Sequence, residues 1–304
     1  QNYDYELNQV FFDELEIRKP DHFLSAAGET ASQTIGRVIE KAEQVLLQEK
    51  PDAVALYGDT NSCMAVVPAK RLKIPVFHME AGNRCFDQRV PEELNRKVID
   101  HLSDINLVLT EHARRYLVAE GLRPETIFKT GSHMQEVLEH YREKIDSIGV
   151  LDQEGLTQDG YFLVSLHREE NVDSVENLKQ ILDSLLGLVE TFKKPAIIST
   201  HPRTRKRLQE FNLVTDNPML RFVKPFGFLS YIKLQKSAFC TISDSGTITE
   251  ESALLGFPAI MIRNAHERPE GMDAGVLIMS GLQKESIIDA IRVVRGQHET
   301  GSRP

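Results

Sequence analysis

The sequence predicts an α/β fold built from two Rossmann-like, doubly wound domains. Three observations carry that expectation. Short apolar runs alternate with amphipathic helical stretches, as in parallel sheets covered by helices on both faces. The alternation stops across residues 141–160, which are charged and hold three glycines, and then restarts. The chain has 304 residues, and a domain takes ~100–200. A 41% hydrophobic content is that of an ordinary globular protein rather than a disordered one. The expected domains are 1–145 and 155–304, with the ligand in the cleft between them at the carboxyl ends of the strands.

The elements follow in order. Ile35, Val38, Ile39, Ala42, Val45 and Leu46 recur at helical spacing until Pro51 breaks the pattern. Residues 53–57 read as a buried strand ending at Gly58-Asp59-Thr60, and a helix kinked at Pro68 follows. A strand at 74–77 runs into His78-Met79-Glu80-Ala81-Gly82. Pro91-Glu92-Glu93 opens a helix, with proline at its first position and acids in its first turn. Residues 105–109 form another strand. In the second half, strands are expected at 161–166, 196–200, 239–242 and 259–262, with a helix at 175–192.

Composition removes several function classes. The net charge of −9 argues against a mainly nucleic-acid-binding or anionic-membrane surface, so neither partner is expected. Cys63, Cys85 and Cys240 are odd in number, far apart and without a CxxC pair. That supports neither a disulfide framework nor a zinc cluster, and it fits a reducing cytoplasm. The apolar stretch 252–262 is well short of the ~20 residues a membrane helix needs. The first residues show no signal peptide, and the missing initiator Met suggests that a further N-terminal piece precedes them.

The residues able to carry chemistry stand at strand ends. Ser243-Asp244-Ser245-Gly246 joins a strand to a helix start, where backbone N–H groups and the helix dipole favour an anion. Ser245, Gly246 and Thr247 are expected to hold a diphosphate. Thr247 and Glu250 fit a capping box, which leaves Glu251 to meet a ribose hydroxyl. Taken alone, this turn is equally an ordinary capped helix. His167, His201 and Arg203, with Arg268 beyond a later strand, place cations around the same region. Asp59, Glu80 and Glu92 supply an acidic half suited to proton transfer. Asp59 and Glu92 also have helix-capping, dipole or Arg96-pairing explanations; Glu80 has the weakest structural excuse and is the leading catalytic candidate. The zinc-deaminase partner motif, an Asp-x-Asp pair, a G-x-S-x-G elbow and a dinucleotide fingerprint are all missing, so neither a metal nor a redox cofactor is expected.

These motifs occur in a recognisable order: Gly58-Asp59-Thr60, His78-Met-Glu80-Ala-Gly82-Asn-Arg84, Pro91-Glu92-Glu93-Leu-Asn95-Arg96, His167-Arg-Glu-Glu-Asn171, His201-Pro, Ser243-Asp-Ser-Gly-Thr-Ile-Thr-Glu-Glu251 and Glu267-Arg268-Pro-Glu270. Across essentially the whole chain the set resembles the non-hydrolysing UDP-N-acetylglucosamine 2-epimerase family. Gln-Asn-Tyr-Asp-Tyr-Glu-Leu, Gly-Asn-Arg-Cys-Phe-Asp and Pro-Phe-Gly-Phe are similar to its capsule and O-antigen branch, of UDP-N-acetyl-L-fucosamine type. The resemblance implies a GT-B-like domain pair, a homodimer, and inversion at sugar C2 through anti elimination of UDP to a 2-acetamidoglycal and re-addition. It implies acid/base roles for Asp59, Glu80 and Glu92, and a leaving-group role for His167. Ser245, Gly246 and Glu251 would bind phosphate and ribose, Phe226 the uracil by its backbone, and Arg84 the substrate. Family members begin with a strand and a Gly-Thr-Arg-Pro-Glu loop, after which this chain starts. They also end in a closing helix, before which it stops, so it is expected to be part of a longer protein. The rivals are a GT-B glycosyltransferase, a hydrolysing epimerase and a non-catalytic nucleotide-sugar binding protein.

Overall fold

A computed structural model describes residues 9–88, 90–213, 215–263, 271 and 275–301. The chain divides into two compact units. One is Arg18–Ser132; among the described residues, the other comprises 9–17, 133–263, 271 and 275–301.

The first unit is a parallel sheet of β1 (Val54–Tyr57), β2 (Val76–Ala81), β3 (Ile105–Val108) and β4 (Ile127–Lys129), paired in chain order. The long helix Ala31–Glu49 begins at Thr30, whose side chain accepts from Gln33 N. Val38 on that helix joins Leu56, Val66, Val76 and Ile99 in the core. Each buried aliphatic side chain contributes about 1.5–3 kcal/mol relative to exposure. A 3₁₀ turn at Asn61–Ala65 gives way to an α-helix at Val66–Arg71, and the proline falls in the first turn of that second piece. β2 starts two residues later than the apolar run suggests and continues through Ala81. Glu80 is therefore in a strand, not a turn.

The second unit contains β5 (Phe162–Leu166), β6 (Ala196–Thr200), β7 (Leu220–Val223), β8 (Cys240–Ser243), β9 (Ala259–Met261) and β10 (Ile278–Met279). All are parallel, in the order β10-β9-β8-β5-β6-β7. The direction of winding reverses between β5 and β8, and such a switch point opens a crevice at the carboxyl ends of its strands. Ile181, Leu185 and Leu188 of helix Val175–Phe192 pack on β5 and β6, and Ser174 caps that helix by accepting from Asn177 N. The span expected to join the domains folds within this unit: Ile145, Val150 and Leu156 are buried, and helices Arg142–Ser147 and Val150–Glu154 pack on helix Phe228–Ser237. Helix Gln9–Glu14 also belongs here; Glu14 accepts from Leu229 N, and Tyr141 donates to Leu15 O. No helix among the described residues is long and apolar enough to cross a membrane.

Candidate active site

In the first unit the carboxyl ends of β1 and β2 lie side by side, with Gly58 N donating to Met79 O. The pairing of β2 with β3 shifts register between Met79 and Ala81, and Glu80, at the shift, has φ +66°. Such a bulge re-aims a side chain, and the left-handed backbone costs a non-glycine residue roughly 1–2 kcal/mol. The bend points the Glu80 carboxylate to Gly58, where a Cβ would lie 3.4 Å from Oε2. Asp59 is the next residue, so the two acids occupy one sheet edge. Helix Pro91–Leu102 grips Asp59 from its second turn: Asn95 Nδ2 donates to Asp59 O at 2.9 Å, and Arg96 Nε to Asp59 Oδ2 at 2.9 Å. Glu92 stands half-buried in the first turn of that helix. Arg96 also holds Glu93 at 3.0 Å, so one guanidinium ties Asp59 to the helix and to Glu93.

Beneath this edge is a buried polar cluster. Asp100, fully buried, lies 2.7 Å from His78 Nδ1 and 2.7 Å from Arg84 Nη1, and it accepts from Gly82 N. His78 Nε2 donates to Gly58 O at 2.9 Å. Arg84, 1% exposed, makes a bidentate pair with Glu120 at 2.7 Å for both bonds. Burial pushes Glu120 up, but Arg84 and then His101 outweigh it and hold that carboxyl below its ordinary value.

In the second unit the β5/β8 switch point gathers the other group. Fully buried Asp244 follows β8, and its carboxylate accepts from His167 N, Arg168 N and Asn171 Nδ2. His167 Nδ1 lies 3.1 Å from Asp244 Oδ1, and the His167 and His201 rings are 6.4 Å apart. His201 Nδ1 accepts from Arg203 N, capping helix Pro202–Glu210, and Arg203 pairs with Asp173 and Glu169. At the turn after β8, Ser245 N donates to Ser243 Oγ and the Ser245 and Thr247 hydroxyls meet at 3.0 Å. The capping box is not formed: Thr247 precedes helix Ile248–Leu255 with helical backbone and no side-chain cap bond. Glu251 is buried on that helix, where Gln235 donates to it at 2.6 Å. Tyr231 lies beside Glu251, Ser165 and Ser243, and burial, with Glu251, pushes its phenol well up. Phe226, half-buried, precedes Gly227 at the start of helix Phe228–Ser237.

The family model for UDP-N-acetylglucosamine 2-epimerase matches residues 1–303. The chain belongs to the UDP-N-acetylglucosamine 2-epimerase family. Members of this family share its fold closely. The UDP-N-acetylglucosamine 2-epimerase structure from Rickettsia bellii is 56% identical at a TM-score of 0.89, covering 98% of this chain and 79% of that one. The Methanocaldococcus jannaschii enzyme, solved with UDP-GlcNAc and UDP, is 36% identical at a TM-score of 0.91, covering 97% and 83%. A UDP-2,3-diacetamido-2,3-dideoxy-D-glucuronate 2-epimerase from Pseudomonas aeruginosa is 33% identical, covering 98% of this chain and 82% of its own. The two parallel α/β units are thus GT-B-like in type, and the chain is an isomerase-type epimerase.

Set against this family assignment, the structure brings Asp59 and Glu80 to one edge, with Glu92 on the helix that holds Asp59. It brings His167, His201 and the Ser245–Thr247 turn to the ends of three neighbouring strands. Arg84 is enclosed by Asp100, Glu120 and the Asn83 carbonyl. Arg268, with Glu267 and Glu270, lies outside the described residues. Sequence reasoning missed Asp100, Glu93 and the role of Asp244. Glu93 is fully buried and accepts from Cys85 N and Phe86 N, which fixes the loop after Gly82. The one signal available was an acid placed where a helix should be apolar.

Proposed function

We propose that the chain is a non-hydrolysing UDP-N-acetylhexosamine 2-epimerase. The observation that carries this reading is Glu80, an acid held in a left-handed, bulged strand end beside Gly58-Asp59. Carbon 2 of a nucleotide sugar has no adjacent carbonyl, so its hydrogen is labilised by departure of the diphosphate. A carboxylate of the first unit takes the C2 proton while the C1–O bond to UDP breaks, giving a 2-acetamidoglycal. UDP then re-adds at C1, and a second acid returns a proton to the opposite face of C2. Asp59, Glu80 and Glu92 are the acid/base groups. Diphosphate departure needs donors aimed at the developing charge. The Ser245 hydroxyl, the N–H groups of Gly246 and Thr247, and His167 supply them, with Asp244 at Nδ1 directing Nε2 to the ligand. Glu251 meets the ribose, Phe226 the uracil, and His201 and Arg268 the remaining polar groups. Arg84 serves by supporting the Glu80 strand end rather than by touching substrate.

The substrate class we assign is a capsule or O-antigen precursor of UDP-N-acetyl-L-fucosamine type; the relationship to both UDP-GlcNAc and UDP-diacetamido-glucuronate epimerases supports a hexosamine reading. The working unit we assign is a homodimer, and exposed Leu94 and Val98, one turn apart on helix Pro91–Leu102, support it. Proton NMR of the chain with UDP-GlcNAc, and separately with its 6-deoxy-L-talose counterpart, tests the reaction. The expected result is approach to a mixture of C2 epimers from either side, with the diphosphate retained and the talose-type sugar faster. Release of free sugar and UDP instead would make the protein a hydrolase.

A further inference from the structure

We propose that Asp100 is a positioning residue for Glu80, clamping the strand end from below so that the Glu80 carboxylate stays aimed at the reacting carbon. Glu80 sits between His78 and Gly82 in the chain, and Asp100 binds both: His78 Nδ1 at 2.7 Å and Gly82 N at 3.3 Å to each carboxylate oxygen. The second arm of His78 reaches Gly58 O, the residue beside which the Glu80 carboxylate lies. Arg84, two residues beyond Gly82, closes the same clamp at 2.7 Å. Asp100, His78 and Arg84 are each 1% exposed or less, so water does not compete for these bonds. The helix and strand ends around Asp100 also fix its own backbone, since Asn106 Nδ2 donates to Asp100 O.

The geometry explains why a left-handed backbone at Glu80 is tolerated. Gly82, at φ +79°, packs so closely that a Cβ there would lie 2.6 Å from Ala113 O, so the chain beyond Glu80 has one path. A single buried acceptor on both flanks of a strained residue over-determines it, and such strain persists only where the surroundings enforce it. Asparagine at position 100 offers one acceptor oxygen to donors that now share two, which loosens the clamp without changing side-chain size.

This inference rests on Glu80 being an acid/base group. The test is steady-state epimerase kinetics on Asp100→Asn, Glu80→Gln and the double variant, with UDP affinity and circular dichroism as controls for the fold. Asp100→Asn is expected to lower kcat about 100-fold, the scale of a slightly misplaced reacting group. KM should stay within about twofold, as for a group acting only in the transition state. In the Glu80→Gln background the same change should lower kcat by less than about twofold, because coupled residues are not additive. Wild-type kcat in Asp100→Asn, or losses that multiply in the double variant, would overturn the proposal. Should Asp100→Asn not fold, His78→Gln removes one arm of the clamp. An about tenfold kcat loss that vanishes in the Glu80→Gln background supports the inference; an unchanged kcat or a multiplied loss rejects it. Normal turnover in Glu80→Gln would instead reject the catalytic role of Glu80 itself.

Discussion

Glu80 has a backbone that glycine adopts readily and a side chain that glycine lacks, so its conformation is maintained for its carboxylate. Replacing that carboxylate by an amide keeps the shape and removes the proposed proton acceptor. Glu80→Gln is expected to lower kcat by about 10²–10⁴-fold, the usual contribution of a general base, while UDP affinity measured calorimetrically is unchanged. At the other site, Asp244→Asn keeps volume but cannot accept from His167 N, Arg168 N and Asn171 together. UDP affinity should fall by about tenfold or more, ~1.4 kcal/mol, and an unaltered affinity would remove Asp244 from the phosphate seat. Glu80, His167 and Ser245 were visible in the sequence as candidates because each stands at or within two residues of the end of an apolar run. Asp100 and the partners of Asp244 were not. The His167–Asp244 contact spans 77 positions, and a carboxylate in mid-helix looks solvent-exposed until the fold encloses it.

Helices and strands differ in the same way. The helix at 175–192 was readable from period and cap, since Ser174 and a long apolar stripe agree. Strands β4, β7 and β10 were not, because each is short and lies at a sheet edge where few residues need be apolar. Helix Gln9–Glu14 shows tertiary structure supplying a cap that local sequence lacks. Glu14 accepts from Leu229 N at 3.1 Å, at the start of helix Phe228–Ser237, over a glycine that leaves room for it. Glu14→Ala should destabilise the protein by about 1 kcal/mol, the value of an N-cap, measured by urea unfolding. Gly227→Ala, whose Cβ collides with that carboxylate, should cost the same and add nothing to Glu14→Ala. In the first unit burial raises the Glu120 carboxyl, but Arg84 and His101 outweigh it and hold it below its ordinary value, so its contribution is present above the unfolded-state value and is lost as pH falls through the folded one. Glu120→Gln should therefore flatten the acid limb of thermal stability between pH ~5 and ~3; a limb as steep as wild type would show that the Arg84 pair does not set it.

At the scale of the whole molecule, the proposed reading divides the chemistry between the two units: one carries the acids, the other the anion seat and its cations. Each was visible as a set of strand-end motifs, and the family model spans both units. A transferase needs the anion seat but not three carboxylates, and a binding protein needs neither acid nor base. The account therefore stands on proton exchange at one carbon. The decisive measurement is NMR or mass detection of deuterium after incubating the chain with UDP-GlcNAc in D₂O and no acceptor. Incorporation at C2 of both epimers, abolished in Glu80→Gln, is the result predicted. Sugar that stays fully protiated at C2 while epimer or UDP accumulates would contradict it.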